Sequence, residues 1–276
     1  MKPLANVLYI TSPDVYLSLD GENIVVRKEE HTSTRLPLHN LENIVCFNYQ
    51  GVSPALMGAC AERNIGLCFL TPNGRFLARV NGKVHGNVLL RKKQYQISEI
   101  AEQSLPIACS FLLGKIYNCR KVLERGIRDH AMLVNVDALS KASLFLKETL
   151  QALPACKSVG ELMAFEGSAA KIYFGVFGEL ILQQTEDFSF KERSRRPPLD
   201  NMNSLLSFLY TLLTNEVVSA LETVGLDPYV GFLHSDRPGR PSLALDLMEE
   251  LRSVFADRLA LSLVNRRQIN GKGFTR

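Results

Sequence analysis

A chain of 276 residues that is 46% apolar can bury one large core or two moderate ones, which places it in the globular class. Its formal charge of +4 is too mild to imply nucleic acid, so that case has to rest on local clustering. The apolar stretch from Ser204 to Leu213 falls well short of the roughly 20 residues needed to cross a bilayer, and the opening MKPLANVLYITSPD is a poor secretory signal, so a cytoplasmic protein with no membrane partner is expected.

The first part reads as strand. NVLYIT, VYLSLD, NIVVRKE and NIVCFN are short, rich in β-branched and aromatic residues, and separated by turn chemistry such as Asp20-Gly21. A helix is predicted from Pro54 to Arg63, after which IGLCFLT and RFLARV resume the strand pattern around Pro72-Asn73-Gly74. The basic stretch LLRKKQYQ reads as a link. Beyond it, apolar residues recur at helical spacing near 105–125, 135–152, 158–184, 203–224 and 242–265. The expected fold is α+β: a small β-rich domain over residues 1–95 with one short helix, then a larger all-helical domain over residues 96–276. No internal repeat or low-complexity tract is present.

Cys46, Cys60, Cys68, Cys109, Cys119 and Cys156 sit mostly among apolar residues and form no C-x-x-C pair. They read as reduced thiols, not as a zinc ribbon or a disulfide framework. No Gly-rich phosphate loop, G-x-S-x-G elbow or H-E-x-x-H pair occurs, so nucleotide hydrolases, esterases and zinc proteases are unsupported.

Glu166 carries the most information. At about 100° per residue, Val159, Leu162, Met163, Ala169, Ala170, Tyr173 and Phe177 fall within roughly 60° of it on a helix. A carboxylate on a face that should be buried needs a partner, because an isolated buried charge is prohibitively costly. A metal would serve, and so would an arginine from another helix.

The stretch HSDRPGRPSLALDLMEELR reads differently. Leu243, Leu247, Leu251, Val254 and Phe255 form one arc, with Asp246, Glu249, Glu250, Ser253 and Asp257 on the other, where a solvated face would put acids. Asp246 and Glu249 are nevertheless neighbours one turn apart, able to share a cation, and His234 sits on a Gly/Pro turn that can fold back towards them. Basic residues cluster nearby: Lys191, Arg193, Arg195 and Arg196 in one loop, Arg237 and Arg240 around the histidine. Arginine is suited to bidentate phosphate contact, and the bland alternative is a basic surface loop. Tyr173 and Tyr229 are able to stack on a base, with core packing the commoner role.

These stretches, together with AFEGSAAKIYF, SRRPPLDNMNSLLSFLYTLL, GLDPYVGFLHSDRPGRPS, DRLALSLVNRRQI and ALMGACAERNIGLCFLTPNGRFLARVNG, resemble the CRISPR-associated integrase of the adaptation module, CRISPR-associated protein 1. The resemblance covers essentially the whole chain and favours a type I relative, with I-C the candidate subtype. It implies a metal-dependent DNA endonuclease and integrase using Mg²⁺ or Mn²⁺, a homodimer, and a heterohexamer with CRISPR-associated protein 2. It implies that Glu166, His234 and Glu249 are the catalytic metal ligands, decides between Glu249 and Glu250, and matches Asp246 to an additional acid near the metal. Two departures are Asn201 and Met202 in PPLDNMNS, and an end at Arg276 where similar proteins continue, so a missing tail is expected.

Overall fold

A computed structural model describes residues 6–28, 31–82 and 88–274. The chain divides into two compact units, Met1–Gly86 and Asn87–Arg276.

The first unit holds two sheets. In one, β1 (Val7–Ile10), β5 (Asn43–Cys46) and β6 (Gly66–Leu70) run parallel and β7 (Phe76–Val80) closes antiparallel on β6. The other is the antiparallel set β2 (Val15–Asp20), β3 (Asn23–Lys28) and β4 (His31–Pro37). Leu17, Ile24, Ile44 and Leu67 are fully buried between them together with Leu56 and Cys60 of α1 (Pro54–Glu62). Helix α1 starts where a proline occupies its first turn and Ser53 Oγ accepts from Leu56 N at 3.2 Å. Strand β4, HTSTRLP, lacks the apolar alternation that betrays a strand in sequence; the hairpin with β3 makes it one. Glu29, the end of the predicted NIVVRKE strand, lies outside the described residues.

The second unit is helical: α2 (Val88–Glu99), α3 (Ala101–His130), α4 (Val136–Ala152), α5 (Val159–Phe177), α6 (Asn201–Thr223), α7 (Ser242–Arg252) and α8 (Arg258–Asn265). Its core gathers Leu112, Ile116 and Leu123 of α3, Leu139 and Leu146 of α4, Tyr173 and Phe177 of α5, and Met202 and Leu206 of α6. The predicted link LLRKKQYQ is part of helix α2. Its one buried residue is polar, which hides it from an apolar-period reading: Gln94 Nε2 donates to Asp227 O at 2.7 Å and Val230 O at 2.8 Å, and Gln94 Oε1 accepts from Asp227 N at 2.8 Å. The helix predicted over 242–265 is broken by a π-helical turn, Ser253–Asp257, between α7 and α8.

Helix α6 has the length and composition to cross a membrane, contrary to the expectation from its central apolar run. In this fold it is a core helix whose buried side includes the polar Asn203 and Tyr210. The unusual Asn201-Met202 start is accommodated: Asp200 Oδ1 accepts from Asn203 N at 2.7 Å, Asn201 Nδ2 donates to Asp187 O at 2.9 Å, and Met202 is fully buried.

Candidate functional site

The loop that carries His234 is fastened from both sides. Gln94 holds Asp227 and Val230, and Pro228 O accepts from Leu243 N and Ala244 N at 3.0 and 3.2 Å, satisfying first-turn amides of α7 that Pro241 cannot cap with a side chain. Gly231 allows the final approach: a Cβ there would meet Asp246 Oδ2 at 2.8 Å and Ser242 Cβ at 2.9 Å. Backbone amides of Phe232, Leu233 and His234 then converge on the Asp246 carboxylate at 2.6, 2.9 and 2.9 Å.

Asp246 is fully buried, and its Oδ1 also lies 2.6 Å from His234 Nδ1. A carboxylate there accepts, so Nδ1 donates, and in the neutral ring the lone pair sits on Nε2. This is the arrangement in which a carboxylate fixes the tautomer and aim of a metal-binding imidazole. The expectation for Asp246 is an additional acid near the metal. Its two oxygens accept from three amides and meet the ring, an arrangement that positions His234.

The solvated arc expected on α7 is not solvated. Asp246 and Glu249 are buried and Phe255, assigned to the apolar arc, is 63% exposed, because α7 is packed on two sides: α3 against Glu249 and Glu250, α6 against Leu243 and Ala244. Gly114 permits that closeness on α3, since a Cβ there would meet Glu250 Cβ at 2.9 Å. Asn118 Nδ2, one turn further along α3, donates to Glu250 O at 2.8 Å.

Lys115, between those two contacts, reaches Glu166 Oε1 of α5 and Glu249 Oε2 of α7, the latter at 2.7 Å. Arg252 Nη1 takes Glu249 Oε1 at 2.7 Å. Glu166 is part-buried, its side chain 18% exposed, and its partner is this lysine instead of an arginine. Burial opposes ionisation of Glu249, but Lys115, Arg252 and, to a smaller extent, His234 outweigh it and hold the carboxyl at about 2. Burial likewise works against the Lys115 charge, and the Glu249 and Glu166 carboxylates overcome it, raising the ammonium above its ordinary value.

These residues suit a divalent cation by donor type. Two carboxylates of different helices converge on one positive charge, and the His234 imidazole is close enough to act on the charge of Glu249. Glu249 is buried with its Oε2 turned to the Lys115 ammonium at 2.7 Å, so the oxygen already faces a cation. Lys115 brings Glu166 and Glu249 together; His234 is joined to Asp246, one turn before Glu249 on α7. Among the described residues, no three His, Cys, Asp or Glu side chains gather into a closed metal-binding group.

A third buried carboxylate also falls on the arc that the sequence pattern assigns to solvent. Asp257, on the π-helical turn, accepts from Tyr210 OH at 2.6 Å and Tyr173 OH at 3.0 Å, and the Tyr210 ring lies under the guanidinium groups of Arg193 and Arg252 at 5.2 and 5.1 Å. Burial pushes Asp257 up to about 6, against the lowering effect of both hydroxyls and both arginines. Between its ordinary 3.8 and about 6, the folded state holds a proton that the unfolded state releases. This group therefore favours folding more as pH falls through that window, by about 3 kcal/mol in full. Asp257→Asn is expected to remove that increment: thermal unfolding at pH 4.5 and 7.5 should differ between wild type and variant, and parallel melting temperatures at both pH values would refute the assignment.

The expected phosphate-binding arginines separate into two groups. Arg193 Nη1 donates to Asn203 Oδ1 at 2.7 Å and Nη2 to Ser207 Oγ at 3.0 Å; Arg240 donates to Ser235 O and, from Nε, to Ser242 Oγ at 3.4 Å. Both are spent on holding their own loops. Arg195, Arg196 and Arg237 are exposed. Tyr173 is a core residue and Tyr229 is 50% exposed. All six cysteines are free thiols, four of them buried.

Lys115, Arg252, Tyr210 and Gln94 were not singled out from sequence. Lys115 had a readable signal, since it falls in the arc of Leu112, Ile116, Cys119 and Leu123, the same anomaly that marked Glu166.

Comparison with known proteins bears on the family and the fold. The model of the family described as CRISPR associated protein Cas1 matches residues 8–276. A curated relative from Rhodospirillum rubrum, CRISPR-associated endonuclease Cas1 2, is 51% identical over 283 residues, covering 100% of this chain and 80% of its own. A solved Cas1 protein from Thermotoga maritima is 26% identical with a TM-score of 0.80, covering 98% of this chain and 82% of that one. A chain of a solved Cas6-RT-Cas1–Cas2 complex is 25% identical with a TM-score of 0.74, covering 96% of this chain and 28% of that one. With a β-rich first unit, a helical second unit and a family match along nearly its whole length, this chain belongs to the Cas1 family of CRISPR-associated endonucleases.

Proposed function

We propose that the chain is a metal-dependent DNA integrase that inserts new spacer DNA into a CRISPR array by 3′-hydroxyl attack on a phosphodiester. The observation that carries this reading is the convergence of Glu166 and Glu249 on one cation next to a histidine aimed by Asp246. Glu166, Glu249 and His234 are the residues that would hold Mg²⁺ or Mn²⁺, which supplies Lewis-acid stabilisation of charge on a phosphodiester. The exchange makes one phosphorus–oxygen bond and breaks another, releasing a 3′-hydroxyl, so it needs no external energy and positioning is the main task. Arg195, Arg196 and Arg237 are free to hold backbone phosphates, while Arg193 and Arg240 keep the two loops in shape.

The assembly we propose is a homodimer joined through the N-terminal unit, two of which combine with Cas2 in a heterohexamer. The Cas6-RT-Cas1–Cas2 neighbour supports a Cas2 partner. The type I assignment, with I-C as the candidate subtype, rests on the sequence signatures, and the free thiols suit the reducing cytoplasm.

The test is a labelled 3′-hydroxyl donor duplex incubated with a repeat-bearing plasmid and Cas2. Joined product in Mn²⁺ or Mg²⁺, lost on adding chelator, is expected. Metal-dependent cleavage without joining would identify a water-using nuclease, and DNA binding with no chelator-sensitive chemistry would identify a scaffold; either result overturns the integrase reading.

A further inference from the structure

Lys115 is a charge that the proposed chemistry does not use. It is 7% exposed, joined to both carboxylates that would hold a metal, and fixed there by the α3–α7 contact at Gly114 and Asn118. Four charged groups balance one for one in this state: Lys115 and Arg252 against Glu166 and Glu249. Without such a cation two carboxylates from helices that both pack on α3 would share a poorly solvated place, which is destabilising. A divalent cation entering the same site meets carboxylates already satisfied and an ammonium of its own sign.

Resting on the metal-site reading above, we infer that Lys115 is a resident internal cation that a divalent metal must displace from Glu166 and Glu249. Its chemistry suits the task. The ammonium is a compact point charge on a flexible four-carbon stem, able to leave one carboxylate by rotation, whereas the rigid fork of Arg252 stays on the other oxygen of Glu249. The lysine is thus a positioning residue with two consequences. It keeps the metal-free site folded and closed, and it lowers metal affinity by competition. Once displaced, the ammonium is free to pair with an anionic oxygen, which makes metal loading and phosphate binding mutually supportive.

Three measurements test the proposal. Lys115→Met keeps the length and packing of the stem and removes the charge, so Mn²⁺ titration by calorimetry should show affinity at least about tenfold tighter than wild type. The variant should also melt lower than wild type in chelator and recover when Mn²⁺ is added. Unchanged or weaker Mn²⁺ binding by a folded Lys115→Met protein overturns the proposal. In the wild-type protein, reductive methylation of Lys115 followed by peptide mass should be slow in chelator and faster at saturating Mn²⁺; this readout needs no variant, and equal protection in both conditions also overturns it. Mn²⁺ titration of Glu166→Gln separates the two readings. If that variant binds as wild type does, the metal-site reading itself fails; if it loses binding while Lys115→Met is unchanged, only the role of Lys115 fails.

Discussion

Glu166→Ala is expected to lose strand transfer by about a thousandfold or more while duplex binding stays within about threefold of wild type. The two effects separate because, on the proposed function, the carboxylate would serve the chemistry, while its ion pair among the described residues is with Lys115 and not with an exposed arginine. Glu166 pairs with Lys115 at a side chain that is 18% exposed. Lys115 retains Glu249 after the substitution, so the fold should survive with a loss of about 1–2 kcal/mol after allowance for solvent. Single-turnover assays with a labelled 3′-hydroxyl donor, beside fluorescence anisotropy on the same duplex, check both halves. Joined product at the wild-type rate would remove Glu166 from the site, and loss of binding in parallel with chemistry would make it structural.

Asp246→Ala is expected to be the more damaging change to the fold and an indirect one to the chemistry. Three backbone amides and the His234 ring lose their acceptor at a position with no solvent exposure. The cost is on the order of 3–5 kcal/mol, equivalent to a melting temperature about 10 °C lower for a unit of this size. Asp246→Asn is the informative companion. Its amide keeps one acceptor oxygen but turns a nitrogen donor towards amides that also donate, so the imidazole loses its fixed tautomer and aim. Mn²⁺ affinity should fall about 10- to 100-fold in that variant, the size of effect expected when a group that orients a ligand is changed. Abolition of binding on the scale of Glu249→Gln would instead make Asp246 a ligand itself, and wild-type affinity would dismiss its role.

Both variants act through contacts that a single helix does not reveal. On a helical wheel, Asp246 and Glu249 fall in an arc adjoining that of Leu243, Leu247 and Leu251, and a surface helix has that pattern. The wheel describes one helix, and here α3, α6 and the 227–234 loop supply a second covering surface. Glu166 stood out because its own neighbours on α5 are apolar. Lys115 sits in an equally apolar arc of α3, yet neither anomaly names the other, since they lie 51 positions apart in sequence. Resemblance to a family favours Glu249 over Glu250; the fold adds a physical difference, with Glu249 on Lys115 and Arg252 and no side-chain ion pair for Glu250 among the described residues.

By itself, the sequence determined the α+β class, most strands, the long helices of the second unit and the need of Glu166 for a partner. Those properties follow from periodicity and from the cost of burying charge, both of which are local. Tertiary structure alone decided that LLRKKQYQ is helical with Gln94 pinning the histidine loop, that Asp246 aims His234, and that one lysine joins Glu166 to Glu249. The reason is physical: a polar group is recognised by what satisfies it, and when the satisfying atom lies on another helix, only the packing of the two helices shows which atom that is.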